Sequence, residues 1–418
     1  MTDWSGRLLD LEVGAPGHGG FCVARAEGRV VFVRHALPGE RVTARVTEDA
    51  GGGFCRADAV EILVASPDRV AAPCPHAGPG RCGGCDWQHA SGAAQRRLKA
   101  AVIREQFARV ASIELDLDEV AELPGGLLGW RTRVSFAVGP DGTVGLHRHR
   151  SHEVEPVTVC PLGAPGVDTA PAPPDGAIAV ESALGDGGAV AVLARRPGPG
   201  RQARGRRPPD RIELVHGPER LEHEVGGRRL EVSASGFWQV HPAALPTFAD
   251  ALLAAVRPQP GETVLDLYAG AGPLTSVLAD AVGPTGRVLG IESAAPAVAD
   301  ATRNLEERPW AQVVRGRVDP ATLGSLELRP DVAVLDPPRA GAGAATMAAL
   351  LALRPRCVGY VSCDPATLAR DVAAAVRAGW QLRTLCAFDA FPMTQHVECV
   401  ALLEPGPDRV NPDTEPAS

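Results

Sequence analysis

The sequence predicts an α/β protein: a Rossmann-like, doubly wound sheet of seven strands in the C-terminal half, preceded by a small β-barrel and a central cysteine-bearing β region. Three observations predict it. From residue 236 on, seven apolar runs follow one another: "TVLDLYAG", "RVLGIES", "AQVVRG", "DVAVLDPP", "RCVGYVS", "QLRTLCAF" and "HVECVALLE". Helical segments separate the first six, the alternation of a doubly wound sheet. Residues 1–63 instead alternate short β-like runs with glycine turns. Between them, residues 64–92 are rich in Pro, Gly and Cys.

Taken in order, "LLDLEVG", "FCVARAEGRVVFVRHAL", "ERVTARVTED" and "FCRADAVEIL" read as an antiparallel barrel of the oligonucleotide-binding type, residues 1–63. Residues 64–235 form the central region. Within it, 93–110 has helical periodicity, and 130–157 alternates as strands around an Asp141-Gly142 turn. Residues 163–211 are looser, with the linker-like "GAPGVDTAPAPPDG". The stretch 194–211 holds seven arginines among Pro and Gly, and reads as a solvated loop or a phosphate contact. Residues 236–408 carry the large sheet. No helix separates its last two runs, so they should pair as an antiparallel hairpin. Residues 409–418 read as a flexible tail.

Composition bounds the function. A net charge of −8 excludes a wholly basic nucleic-acid coat but leaves room for a local basic face. No apolar run is long enough to span a bilayer, and the start lacks the apolar core of a signal peptide. The expectation is a cytoplasmic monomer with no membrane association. The ten cysteines then read as metal ligands, a nucleophile or core residues rather than a disulfide framework. Lys99 is the only lysine; with the many Arg, Ala, Gly and Pro it reads as a coding bias without functional weight.

The chemistry sits at strand ends. "VLDLYAGAGPLT" is strand, acid, glycine loop and helix, and Gly270 and Gly272 let backbone approach a ligand closely. The third glycine of the dinucleotide fingerprint is missing. Glu292 closes the next strand, where an acid can bind ribose hydroxyls. S-adenosylmethionine has such a ribose and no pyrophosphate, which suits this loop. Asp336 ends the fourth strand in "LDPPRAG". In "YVSCDPATLAR" Cys363 ends a strand beside polar groups, which suits either a small core residue or a reactive thiolate. Cys22, Cys55, Cys357, Cys386 and Cys399 lie within apolar runs and read as core. Cys74, Cys82, Cys85 and Cys160 each adjoin Pro or Gly in turns and could hold zinc or an iron–sulfur cluster. Three near ligands and one remote suit a cubane better than a zinc ribbon.

These pieces resemble the RNA 5-methyluridine methyltransferase family, in particular its bacterial ribosomal-RNA branch. The resemblance rests on the TRAM-like barrel, "CPHAGPGRCGGCDWQH", "GFWQVHP", "DLYAGAGPLT", "LDPPRAG", "YVSCDPATLARD" and "FPMTQHVECVALL", in the family's order. It implies methylation of carbon 5 of a uridine, in ribosomal RNA before transfer RNA. It implies Cys363 as nucleophile, Glu398 as base, S-adenosylmethionine contacts from Gln239, Tyr268, Glu292 and Asp336, and a 4Fe–4S cluster on Cys74, Cys82, Cys85 and Cys160. His241 departs from the asparagine usual in "FxQxN". Seven residues separate Cys74 from Cys82, where the ribosomal enzymes often have five. Phe237, Trp238 and Trp87 are candidates for stacking on RNA bases or for the core. Other readings stay open: an amino-group RNA or DNA methyltransferase using "DPPR", and a non-catalytic iron–sulfur RNA-binding protein. A radical enzyme would need a tight three-cysteine loop that this chain lacks.

Overall fold

In the computed structural model the described residues are 3–198 and 210–407. Most of the arginine-rich stretch and the whole 409–418 tail lie outside them. Strands β1 (Leu8–Glu12), β2 (Pro16–Gly17), β3 (Phe21–Ala26), β4 (Arg29–Arg34), β5 (Arg41–Glu48) and β6 (Phe54–Val64) form the N-terminal sheet, in the order β1-β5-β6-β4-β3-β2. Alternate residues point inward, so Leu11, Val31, Val33, Val42 and Ala44 make a separate core. The expected all-antiparallel pairing needs one correction. β6 turns back from β5 and so runs parallel to β4.

The central segment begins with helix α1 (Gly92–Gln106), whose Ser91 side chain caps it by accepting from the Ala94 N–H. A π-helical turn, Phe107–Ala111, ends it. Next come β7 (Ala121–Glu122), then β8 (Arg133–Val138), β9 (Val144–His147), β10 (Val154–Glu155), β11 (Ala179–Leu184), β12 (Val190–Arg196) and β13 (Arg211–His216). The last six make a second sheet, β10-β9-β8-β11-β12-β13. β11 and β12 fall in the stretch that reads as loose. Their inward residues, Val180, Ala183, Ala191, Leu193 and Ala194, are mostly alanine, so the apolar alternation is muted although all five are buried. A hairpin of β14 (Arg220–Val225) and β15 (Arg228–Ser233) follows.

The large sheet contains β16 (Thr263–Leu267), β17 (Arg287–Glu292), β18 (Ala311–Arg315), β19 (Val332–Leu335), β20 (Cys357–Ser362), β21 (Trp380–Asp389) and β22 (Glu398–Pro405). Its helices are α2 (Ala244–Val256), α3 (Pro273–Val282), α4 (Ala295–Asn304), α5 (Pro320–Gly324), α6 (Ala344–Ala352) and α7 (Pro365–Arg377). The order is β18-β17-β16-β19-β20-β22-β21-β7, eight strands rather than seven. The extra edge strand, β7, comes from the central segment and runs parallel to β21. β16 to β20 are parallel, while β22 enters antiparallel between β20 and β21, which realises the expected hairpin. Successive strand residues face opposite sides. Val264, Val288 and Val334 pack under α2, α3 and α4, whereas Leu265, Leu289 and Leu335 pack under α1, α5, α6 and α7.

Candidate active site

Strand register builds the site. Leu267 lies level with Ile291 on one side and with Leu335 on the other. The next residue of each strand, Tyr268, Glu292 and Asp336, therefore forms one row along the carboxyl edge, where doubly wound sheets bind ligands. The glycine loop above the row needs its glycines: Gly270 has φ +56° and Gly272 +83°. A Cβ on Gly272 would come within 3.2 Å of the Ala301 side chain. The Gly270 N–H donates to Glu292 Oε2 at 3.1 Å, and Oε1 accepts from the Ala294 N–H at 2.7 Å. Glu292 is thus held rigid beside the loop. Tyr268 has φ +64°, a backbone strain kept at this edge.

Asp266 lies fully buried behind the row and accepts from Thr275 Oγ1 at 2.5 Å. The sequence signal for it was only an acid inside an apolar run. Burial, with the Glu292 charge adding, raises its carboxyl to about 7. Burial and then the Asp266 charge raise Asp336 to about 7. Gln239 is half-buried in the loop between β15 and α2, and among the described residues no hydrogen bond ties it to the row. Its neighbour His241 is buried against Trp130, ring centroids 5.7 Å apart, and burial depresses its pKa, so it is neutral.

The second half of the site stands where the sheet turns antiparallel. Ser362 of β20 faces Cys399 of β22, so the next rung brings Cys363 level with Glu398. Residues on such a rung have Cβ atoms roughly 5 Å apart. Burial first, then the Glu398 and Asp336 carboxyls, push the Cys363 thiol up to about 12, and Arg339 opposes them. Burial and Asp336 hold Glu398 well above its usual value, again with Arg339 opposing. The two anion-forming groups thus share Arg339 as a nearby cation. The Arg339 guanidinium lies 3.3 Å from His396 Nε2. Asp364 caps α7 by accepting from the Ala366 and Thr367 N–H groups, which fixes the turn after Cys363. His18, on the barrel's β2–β3 loop, reaches Asp364 at 3.2 Å, and that contact raises its pKa.

Lys99, read above as compositional bias, is buried and donates to Asp389 Oδ1 at 2.5 Å and to the Phe391 carbonyl at 3.0 Å. It ties α1 to the loop that leads into β22. Of the aromatic candidates, Trp87 lies in a small core, Trp238 stacks on His223 at 4.4 Å, and Phe237 is 77% exposed. Of the cysteines read as core, Cys22, Cys55, Cys357 and Cys399 are buried, but Cys386 is exposed.

Cys74, Cys82, Cys85 and Cys160 are all free thiols gathered at one place. The Cys82 pKa is raised by burial and then by Cys160 and Cys74, and Cys85 goes up to about 12 through burial and then Cys160 and Cys82. Gln88 Nε2 donates to Cys85 Sγ at 3.2 Å. Yet among the described residues no three Cys, His, Asp or Glu side chains stand ready to hold a metal ion. The expected cluster is therefore not shown. A physical reason is that four thiols gather tightly only around a cation that deprotonates them. No described helix is long and apolar enough to cross a membrane.

Residues 5–60 match the TRAM domain and residues 317–405 the tRNA (Uracil-5-)-methyltransferase family. Residues 242–334 match protein-L-isoaspartate(D-aspartate) O-methyltransferase, a span containing the glycine loop and Glu292. An uncharacterized RNA methyltransferase of Streptomyces avermitilis is 47% identical over 96% of this chain and 99% of its own length. The 23S rRNA (uracil(1939)-C(5))-methyltransferase of Edwardsiella ictaluri is 30% identical over 91% of this chain and 92% of its own. The fold is that of the Pyrococcus abyssi tRNA (uracil-54, C5)-methyltransferase, solved with S-adenosyl-L-homocysteine: TM-score 0.69 and 20% identity over 94% of this chain and 100% of that one. These matches make the chain a member of the S-adenosylmethionine-dependent RNA (uracil-5-)-methyltransferase family that carries an N-terminal TRAM domain.

Proposed function

We propose that this enzyme methylates one uridine of 23S ribosomal RNA through a covalent link between Cys363 and the base. One observation supports the mechanism: Cys363 and Glu398 adjoin the Ser362–Cys399 pair that ends the β20–β22 ladder, close enough for the Glu398 and Asp336 carboxyls to raise the Cys363 thiol. Uracil carbon 5 is a weak nucleophile. The Cys363 thiolate adds to carbon 6, forming an S–C bond and pushing the C5=C6 pair into an enolate. Bound S-adenosylmethionine supplies an electrophilic methyl group, which carbon 5 takes with that electron pair. The Glu398 carboxylate then accepts the proton from carbon 5, the double bond re-forms, and the thiolate leaves. The target base must be flipped out of its stack to reach Cys363.

In the ligand-free site burial first, and then the neighbouring carboxyls, disfavour the anionic forms of Cys363 and Glu398, with Arg339 opposing. Arg339 is one cation, and a bound sulfonium is the second. Glu292 is suited to the ribose, with Tyr268, Asp336 and Gln239 as the other cofactor contacts. The 23S target is supported by the Edwardsiella ictaluri relative at 30% identity. Cys74, Cys82, Cys85 and Cys160 are proposed to hold a structural 4Fe–4S cluster, supported by four free thiols within electrostatic reach of one another. Anaerobically purified protein should then contain about four irons per chain; stoichiometric zinc without iron would reject the cluster.

The mechanism is tested with two variants, SAM carrying a labelled methyl, and substrate RNA. Cys363→Ala should transfer no methyl and form no adduct. Glu398→Gln should add the thiol and take the methyl but stall, since loss of a general base costs about a hundredfold to ten-thousandfold in rate. A denaturing gel should show a labelled protein–RNA band. A Cys363→Ala enzyme that still methylates would overturn the mechanism. Mapping 5-methyluridine in ribosomal and transfer RNA from a deletion strain tests the target; a loss confined to transfer RNA would replace it.

A further inference from the structure

The Glu398 carboxylate accepts no side-chain hydrogen bond among the described residues, so its position depends on what sets the start of β22. β22 starts where Glu398 pairs with Phe388 of β21, and the loop 390–397 that joins the two strands is gripped from the cysteine-bearing segment. Asp86, immediately after Cys85, accepts the Gln395 N–H on Oδ2 at 3.0 Å. The N–H groups of Asp86 and Trp87 both donate to the Met393 carbonyl at 3.0 Å. Gln95, buried on α1, accepts the Met393 N–H at 2.7 Å. Met393 itself has φ +69°, a conformation that a non-glycine residue keeps only when its surroundings hold it there. From the barrel, Arg34 lies 3.6 Å from the other Asp86 oxygen. Downstream, the Gln395 side chain meets His396 Nδ1 at 3.0 Å, and His396 meets Arg339.

We propose that Asp86 is a positioning residue for the reaction: it anchors the 390–397 loop so that β22 presents Glu398 opposite Cys363. Barrel, cysteine segment and catalytic sheet meet at this one carboxylate. The inference rests on the reading of Glu398 as the base, and it gives the cysteine-bearing segment a part in product release.

Removing the anchor should impair the step that Glu398 serves and spare the earlier ones. Asp86→Ala should bind SAM and form the adduct as the unmodified enzyme does, yet release methylated RNA roughly ten- to a hundredfold more slowly, the scale of a small misplacement of a catalytic group. The labelled adduct should accumulate. Asp86→Asn retains an oxygen for the Gln395 N–H and should restore release. If Asp86→Ala does not fold, Gln95→Ala is read in the same way. Glu398→Gln run alongside separates two failures. If it stalls while the Asp86 and Gln95 variants release normally, or slow every step equally, the positioning role is overturned and the base stands. If Glu398→Gln turns over normally, the base assignment falls and the positioning role with it.

Discussion

The two halves of the site are built differently. The cofactor row, Tyr268, Glu292 and Asp336, is the carboxyl edge of three adjacent parallel strands whose register alone aligns it. Its fixing hydrogen bonds are local: the Gly270 and Ala294 N–H groups come from the loops beside Glu292. The reaction end lies where β22 inserts antiparallel against β20, and its loops are held from afar. Lys99, Asp86 and Gln95 grip the 389–395 segment from 290 to 309 positions upstream, and His18 reaches Asp364 from the barrel. On the proposed assignment, methyl-donor binding draws on three neighbouring parallel strands and the loops beside them, while the uracil chemistry depends on contacts from distant parts of the chain.

The sharpest way to break this comparison is Lys99→Met. It leaves Asp389 buried without its cation, and breaking such a pair typically costs about 3–5 kcal/mol. The unfolding free energy measured by chemical denaturation should fall by that much. At a temperature where the variant is folded, release should slow while SAM affinity stays near that of the unmodified enzyme. A parallel loss of SAM affinity would show that the two halves are one unit.

Glu292→Ala should do the reverse. Hydrogen bonds to a charged group contribute about 1.5–3 kcal/mol each, so SAM affinity by calorimetry should drop roughly tenfold to a hundredfold. The Asp86–Gln395 and Lys99–Asp389 contacts are remote from it, and stability should change little. Unchanged SAM affinity in the folded variant would remove Glu292 from the cofactor site.

The smallest effect concerns pH. Asp266 and Asp336 have carboxyls raised to about 7, so between the unfolded carboxylate range and pH 7 the folded chain holds more protons than the unfolded one. Ligand-free stability should fall as pH rises through that window. SAM brings a positive sulfonium, so its affinity should rise over the same window. Asp336→Asn should flatten both trends in thermal melts and titrations at pH 5.5–8; slopes unchanged in this variant would assign the effect to other groups.

The large sheet and the cofactor row were legible because they are encoded locally. Continuous apolar runs, a glycine loop and the acids Glu292 and Asp336 at the ends of two strands need no distant partner to be read, whereas Tyr268 and Gln239 came only from the family resemblance. Cys363 was visible for the same reason, as a thiol where an apolar run stops at Asp364 and Pro365. Alanine-rich β11 and β12 were not, since methyl side chains give a weak pattern even when buried. Nor was β7, two residues whose only strand character is their pairing with β21.

Composition and strand pattern by themselves determined an α/β sheet with a β-rich N-terminus, because hydrophobic periodicity and turn chemistry act over a few residues, while the methyl-donor reading came from the motifs that resemble a known family. The tertiary structure alone decided that β22 inserts between β20 and β21, which brings the end of β20 beside the start of β22 and so Cys363 near Glu398. It alone made a lysine that looked like compositional bias the buried partner of Asp389. The physical reason is the same in both cases: strand register and a desolvated ion pair are set by groups far apart in sequence, and only the closed core makes their pairing worth more than solvation.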